Sequence, residues 1–248
     1  MIVRHPSFGP PRRARRLCGV LLVFAAIVPQ ASPADAQEAP AAAQAGASRL
    51  IELGFAELRK EQAAQRGLAP ASSVAEELAR RVRLDQAGRR GIGAIMQADA
   101  SLEEKRAAIR ELGRELAPMD EDNTRYLKGV LPADGWFRIS RDGDETARNA
   151  WLIVQHSQDR AFQQEVLKRM EPLAKIGEVR GADFALLYDR LEVFAGRPQR
   201  YGSQASCENG VTTLHTLEDA SKVDEWRRSV GLGPLEEYKT RLGVGRPC

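Results

Sequence analysis

Residues 150–157, with the sequence AWLIVQHS, constrain the fold of this chain more than any other stretch. The stretch begins apolar on every side, and a helix without a polar face is normally buried on all sides. It ends in Gln155 and His156, whose polar groups need hydrogen-bond partners wherever water is excluded. Leu152 and Ile153 lie one turn before His156 and share its face. We therefore expect this helix at the centre of the fold, with an ionisable ring projecting from it.

The first 36 residues have the three parts of a secretory signal peptide. Five arginines precede an apolar run over residues 17–28, and this run is too short to span a bilayer. The A-x-A pattern of residues 34–36 offers a cleavage site before Gln37. The sequence thus predicts an envelope protein, periplasmic or secreted, with no membrane span after cleavage. An uncleaved anchor helix is the alternative.

The charge of the remaining chain argues against nucleic acid as a partner. Residues 1–36 hold five arginines and one aspartate of the chain's 37 basic and 34 acidic residues, so the rest has a net charge of −1. Nucleic-acid binding normally needs a basic excess on one face. The expected partner is therefore an unknown small molecule or peptide.

Two cysteines, Cys207 and Cys248, remain after cleavage. An even count in an exported chain favours a disulfide, with two free thiols as the alternative. In the chain-entropy model, closing a loop of about 40 residues stabilises the fold by about 4 kcal/mol.

Capping and helix-breaking residues divide the chain into segments. Residues 37–47 are rich in alanine and are predicted to be a disordered linker, followed by one domain over residues 48–248. Capping boxes at Ser73 and Ser101 begin two helices, and the second is expected to end before Pro118. A separate helix is then expected from residue 119.

The remaining segments complete a mainly α fold. Further helices follow the central one, and Asn209-Gly210 is a strong turn signal for a hairpin within residues 199–216. We predict a single-domain multi-helix bundle with a small β-hairpin near its C-terminal end.

Three polar residues lie on otherwise apolar helix stripes: Asn123, His156 and Asp189. A carboxylate in such a position needs a partner, because burial of an unpaired charge is costly. Asp85 and Arg89 also continue an apolar stripe and are spaced to form a pair.

Several motifs together resemble a family of bacterial proteins known only as a domain of unknown function. The resemblance covers about residues 85–238, and Ser203 stands where the family usually has threonine. It implies a shared fold and a shared polar site, without an established activity or cofactor, and it does not extend to the cysteines. The motifs are DEDNT (120–124), GW (135–136), AWLIVQHS (150–157), DRAFQ (159–163), ALLYDR (185–190), GRPQRYGSQ (196–204), VDEWRRSVGL (223–232) and PLEEY (234–238).

The candidate site combines the three polar residues on apolar stripes with residues of the AWLIVQHS, ALLYDR and GRPQRYGSQ motifs. His156 and Asp189 are the candidate catalytic pair: we expect His156 to meet Asp189 or Arg190, with the 199–204 loop folded over them. The candidate binding residues are Asn123, Gln155, Arg190, Gln199, Arg200, Tyr201 and Gln204. No cofactor or metal is expected, since His156 and His215 have no metal-ligand spacing. A carboxylate-rich metal site of Asp120, Asp189 and His156 is the weaker alternative.

Three functional hypotheses follow. The cluster around His156 and Asp189 is a binding site, or the chain is a hydrolase-type enzyme with His156 as general acid and base. In the third, the chain is a non-catalytic structural protein with a buried polar network. Access of solvent to His156 separates the first two hypotheses from the third.

Overall fold

A computed structural model describes residues 41–248, so the predicted signal peptide and the start of the predicted linker lie outside the described residues. Within this part, the chain is mainly helical, with a two-stranded hairpin near its C-terminal end, as predicted. The elements are α1 (Ala41–Gln65), α2 (Val74–Gln97), α3 (Leu102–Gly129), α4 (Ile139–Asp142), α5 (Asp144–His156), α6 (Arg160–Lys175), α7 (Gly181–Phe194), β1 (Ala205–Glu208), β2 (Val211–Leu214), α8 (Val223–Ser229) and α9 (Leu235–Leu242).

Two boundaries differ from the sequence predictions. Helix α1 begins at Ala41, inside the segment 37–47 that the sequence predicts as a linker; alanine has the highest helix propensity of all residues. Helix α3 passes through Pro118, where two separate helices were predicted. Pro118 and Arg114 are both exposed, so water can satisfy the Arg114 carbonyl that the missing proline N–H leaves unbonded.

The buried apolar side chains form two clusters. The α5 cluster surrounds α5, which contacts α2, α3, α4, α6 and α7 and therefore occupies the centre of the fold. The α1 cluster lies between α1, α2 and the first half of α3. The largest members of the α5 cluster are Trp136, Phe137, Trp151, Phe162, Phe184 and Tyr201; the α1 cluster consists of Leu50, Leu58, Ala87, Ile95, Ala108, Leu112 and Leu116.

Glycines allow α1 and α2 to approach backbone to backbone. A Cβ atom on Gly91 would overlap the carbonyl oxygen of Gly54, and one on Gly88 would meet the side chain of Leu116 on α3. The glycines of α2 are helix-weakening residues in isolation. Here Gly91 and Gly88 permit close packing of α2 against α1 and α3, and α2 continues as far as Gln97.

We expect Gly91→Ala to destabilise the protein by about 2–3 kcal/mol, because the new methyl group overlaps backbone that cannot rotate away. Gly93→Ala is the matched control on the same helix: nothing lies within 4 Å of its Cβ position. It should stabilise the fold by about 0.5–1 kcal/mol through helix propensity. Urea unfolding of both variants measures the difference, and equal effects would contradict this account of the α1–α2 contact.

The C-terminal residues add to the hairpin. Asn209 and Gly210 both have positive φ angles, of 50° and 80°, as a tight two-residue hairpin turn requires. Beyond α9, the Thr212 N–H donates to the Arg246 carbonyl at 2.9 Å, which places the tail alongside β2. The predicted disulfide is present: Cys207 is bonded to Cys248, with their Cα atoms 5.8 Å apart.

Candidate functional site

His156, the last residue of α5, is held by a carboxylate on α2. Its Nδ1 atom lies 2.8 Å from both carboxylate oxygens of Asp85. His156 is 6% exposed and Asp85 1% exposed, so solvent scarcely reaches the pair. Because a carboxylate only accepts, Nδ1 carries the hydrogen, and Nε2 is the ring atom left for another partner. Burial acts to raise the pKa of Asp85, but the neighbouring His156 and Arg89 outweigh it and hold that pKa below its usual value.

Arg89 extends this pair to α3. Its Nη2 atom donates to both oxygens of Asp120, at 2.7 and 2.8 Å, and lies 3.4 Å from Asp85. Burial raises the pKa of Asp120, despite the guanidinium of Arg89 beside it. Asp85, Arg89, Asp120 and His156 therefore form one buried network, which we call the α2–α3–α5 network.

The hydrogen-bond partner of His156 is Asp85, whereas the sequence predicts Asp189 or Arg190. Asp189, on α7, is fully buried, but its carboxylate accepts backbone N–H groups of the 199–204 loop instead. The donors are Arg200 at 2.8 Å, Tyr201 at 2.9 Å and Ser203 at 2.9 Å. Burial raises the pKa of Asp189, whereas these N–H groups act to lower it. The loop thus folds over Asp189 as expected, while Asp85 takes the position beside His156 that Asp189 was expected to occupy.

The polar side chains of the 199–204 loop mainly bind the loop and its surroundings. The Gln199 amide nitrogen donates to the Gln204 and His215 carbonyls, both at 2.9 Å. Arg200 pairs with Glu218, with its Nε atom 2.9 Å from the carboxylate. Tyr201 is buried, and its ring packs edge-on against Tyr188 and Phe184. These contacts fix the loop conformation. The side chains of Gln199, Arg200 and Tyr201 already have partners within the chain.

Two residues that sequence reasoning did not single out hold the loop from its other side. Arg227 is 1% exposed and donates to the Tyr201 carbonyl at 2.5 Å and to the Gly233 carbonyl at 2.6 Å. The Tyr238 hydroxyl donates to the Ser203 carbonyl at 3.2 Å. Arg227 lies in the VDEWRRSVGL motif and Tyr238 in the PLEEY motif. Their place in these motifs is the feature of the sequence that could have pointed to them.

The C-terminal end of α5 receives side chains from two neighbouring helices. Arg190 on α7 donates from Nη1 to the Gln155 carbonyl at 2.9 Å. Gln163 on α6 donates to the Val154 and Ser157 carbonyls at 2.8 and 3.0 Å. Carbonyls at a helix C-terminus carry partial negative charge and lack partners within the helix. The donors on Arg190 and Gln163 therefore supply hydrogen bonds that the helix itself does not.

Three nitrogen atoms at this end of α5 are shielded from solvent and have no hydrogen-bond partner among the described residues. They are Nε2 of Gln155, Nε2 of His156 and Nε of Arg190. Buried polar atoms are normally paired, so three unpaired nitrogens at one helix end are unusual. Elsewhere in the described residues, the ring nitrogens of Trp136 and Trp151 and Nη2 of Arg227 are also buried without a partner.

Asn123 is not hydrogen-bonded to the residues at this end of α5. It is 3% exposed, and its Oδ1 atom accepts from Arg81 at 3.1 Å. It lines a cavity of about 310 Å³ between α1, α2 and α3, whose other lining residues are Gln65, Glu77, Arg80, Arg81, Leu84, Met119 and Asp122. His156 is not among the residues that line this cavity.

Neither a metal site nor a membrane span is found in the part of the chain that the structure describes. No group of three or more His, Cys, Asp and Glu residues there could hold a metal ion. Asp120 binds Arg89 and Asp189 binds the loop, so the alternative metal site with His156 is not assembled. No helix within residues 41–248 has the length and apolar character needed to cross a membrane.

A family model described as "Family of unknown function (DUF6624)" matches residues 74–244. The chain belongs to this family. The predicted resemblance is thereby confirmed over a somewhat wider range than residues 85–238, and the match includes every helix from α2 to α9, whereas α1 precedes it. No match is found among curated proteins or among solved structures.

The loop contacts predict that Asp189→Asn destabilises the protein. An amide has one acceptor oxygen, so at least one buried N–H of the loop would face an NH₂ group, at a cost of about 1–3 kcal/mol. Asp219→Asn is the control, because Asp219 also accepts a backbone N–H, that of Ser221, but in an exposed position. Thermal melts should show a clear loss for the first variant and little change for the second. Equal melting temperatures for wild type and Asp189→Asn would contradict the anchoring role.

Proposed function

We propose that this chain is exported and acts in the periplasm or outside the cell. The signal-like residues 1–36 support export, and the Cys207–Cys248 disulfide is compatible with an oxidising compartment. The nearly balanced charge of the remaining chain favours a small molecule or a peptide over nucleic acid as its partner.

Mass spectrometry of the protein recovered from its native envelope tests the export proposal. We expect the mature chain to begin at Gln37, because small residues at positions 34 and 36 match the pattern before a signal cleavage site. A mature chain beginning upstream of Leu17 would contradict cleavage.

We further propose that the end of α5 binds a small polar ligand. One observation carries this proposal: Gln155 and His156, neighbours in sequence, each bury a side-chain nitrogen that no described group engages. Leaving a buried polar atom unpaired costs about 1–3 kcal/mol, so a ligand that pairs with both stabilises the fold as it binds. The Gln155 amide offers a donor, and His156 offers an acceptor that becomes a donor when the ring is protonated.

The α2–α3–α5 network supports this proposal by fixing the ring. The hydrogen bond to Asp85 sets both the tautomer and the orientation of His156, as partners of functional histidines commonly do. The side chain of His156 is only 4% exposed, which is the degree of burial that the hypothesis of a structural network predicts. A ligand, or the part of it that reaches the ring, must therefore be small and largely enclosed.

A hydrolase is the second candidate, and the Asp85–His156 pair favours it. A carboxylate that orients an imidazole through Nδ1, with Nε2 left to move a proton, is the arrangement of a general base. No described nucleophilic side chain is hydrogen-bonded to Nε2, so this enzyme would use His156 to activate water.

His156→Gln tests both functional hypotheses. The glutamine amide can still donate to Asp85, so the buried carboxylate keeps a partner, but the ring Nε2 is lost. We expect loss of ligand binding with most of the thermal stability retained, since Asp85 keeps a hydrogen-bond donor while the ring and its Nε2 atom are removed. His215→Gln, at a half-buried histidine in the segment after β2, is the matched control and should bind as wild type does.

The measurement is a thermal-shift screen of small polar compounds on the wild type and both variants, followed by NMR of the histidine rings. Hits that shift the His156 signals and lose their effect in His156→Gln support binding. Turnover of ester or amide substrates by wild type, lost in the same variant, supports the hydrolase. If no compound shifts the His156 signals and the variant changes only the melting temperature, the network is structural and both functional hypotheses fail.

A further inference from the structure

Arg190 is a buried cation without a buried anion beside it. It is 8% exposed, its Nη1 atom donates to the Gln155 carbonyl, and its Nε atom is shielded and unpartnered among the described residues. No described carboxylate lies within ion-pair distance of it. Arg89, by contrast, binds Asp120 in the α2–α3–α5 network.

The charged neighbours of Arg190 increase the excess of positive charge. Arg160 and Arg89 both repel it, and burial together with this repulsion lowers the pKa of Arg190 to about 10. Arg160 makes no ion pair with a described carboxylate either: its Nη1 atom donates to the neutral amide oxygen of Gln163, and its guanidinium lies 3.6 Å from the ring centre of Phe194.

The helix end that Arg190 contacts does not balance this charge. The C-terminus of a helix corresponds to about half an elementary negative charge, and α5 shares its carbonyls between Arg190 and Gln163. Two guanidinium groups without carboxylate partners exceed that value severalfold. Arg227 differs in part: it is also buried, its Nη2 atom also has no partner among the described residues, and burial lowers its pKa, but it donates to two carbonyls, and the charges of Asp224 and Asp189 oppose the effect of burial.

We propose that Arg190 and Gln155 bind a small oxyanion, a carboxylate or phosphate group, at the C-terminal end of α5. This inference rests on the proposed function and names the class of its ligand: the oxyanion is the group that lies next to His156. The planar guanidinium and the amide NH₂ group both donate to oxygen, and a guanidinium matches a carboxylate or phosphate better than it matches a spherical ion. His156 adds a hydrogen bond from the ring when protonated, or accepts one from an acidic hydroxyl of the ligand.

Thermal melts at constant ionic strength test this proposal, with sodium chloride exchanged for sodium phosphate or sodium acetate. At a tenfold excess over Kd, we expect at least one of the two anions to raise the melting temperature of the wild type by about 3–6 °C. Arg190→Met should lose this rise. Arg197→Met is the control, because it removes a surface arginine that already has a carboxylate partner in Glu192, and it should keep the rise.

The melting temperatures in chloride alone separate a binding role from a structural one. If the charge of Arg190 is neutralised only when an anion binds, Arg190→Met, with a side chain of similar volume, should leave the melting temperature unchanged or raise it. If Arg190 serves only to complete the end of α5, the variant should melt lower and neither anion should affect the wild type. That second pattern overturns the proposal.

A measurement on the wild type alone covers the case in which Arg190→Met does not fold. Titration with phosphate and with acetate should shift the NMR signals of the Arg190 Nε–H and the Gln155 side-chain amide, and the two titrations show which oxyanion is preferred. Saturable shifts support the site, and signals that stay in place with both anions overturn it.

Failure of the oxyanion inference can be told from failure of the proposed function. A neutral ligand that shifts the His156 signals, with no response to either anion, overturns the oxyanion class and leaves the α5 binding site. Anion binding that is lost in Arg190→Met but has an unchanged Kd in His156→Gln supports the oxyanion site and removes His156 from it.

Discussion

The buried hydrogen bond between Asp85 and His156 is the interaction on which the arrangement of the long helices depends. On α2, the fully buried apolar residues before Asp85 belong to the α5 cluster and those after it to the α1 cluster; on α3, Asp120 lies at the corresponding boundary. The α2–α3–α5 network therefore spans the junction of two apolar cores. Apolar contacts alone tolerate sliding of one helix along another, whereas a buried charge must keep its partner. The network thus fixes the register of the consecutive helices α2 and α3 against α5.

Asp189 organises the C-terminal third in a comparable way, through backbone rather than side-chain donors. Its carboxylate accepts successive N–H groups of the 199–204 loop, while Arg227 and Tyr238 bind carbonyls of the same loop. The loop is therefore satisfied on both its donor and acceptor sides. The motif residues there have a sufficient explanation in folding, so a high density of polar side chains is not by itself a sign of a ligand site.

The end of α5 differs from the Asp189 loop in what is left unsatisfied. Gln155, His156 and Arg190 combine deep burial with polar atoms that the described chain does not engage, and Arg190 adds charge that is not neutralised nearby. Burial strengthens electrostatic interactions and makes their absence costly. The same physics that makes the α2–α3–α5 network rigid is therefore the basis of our proposal that this neighbouring group of atoms receives a ligand.

The sequence by itself determined the local structure: the central apolar helix, the caps at Ser73 and Ser101, the Asn209-Gly210 turn and the burial of His156 and Asp189. These follow from periodicity, capping and turn preferences, which act over a few residues. Only the tertiary structure decided which polar groups meet. Asp85 and His156 are 71 residues apart in sequence, and both Asp85 and Asp189 are carboxylates on apolar stripes. Which of the two reaches the ring depends on how α2 and α7 pack against α5, a global property that no local pattern encodes.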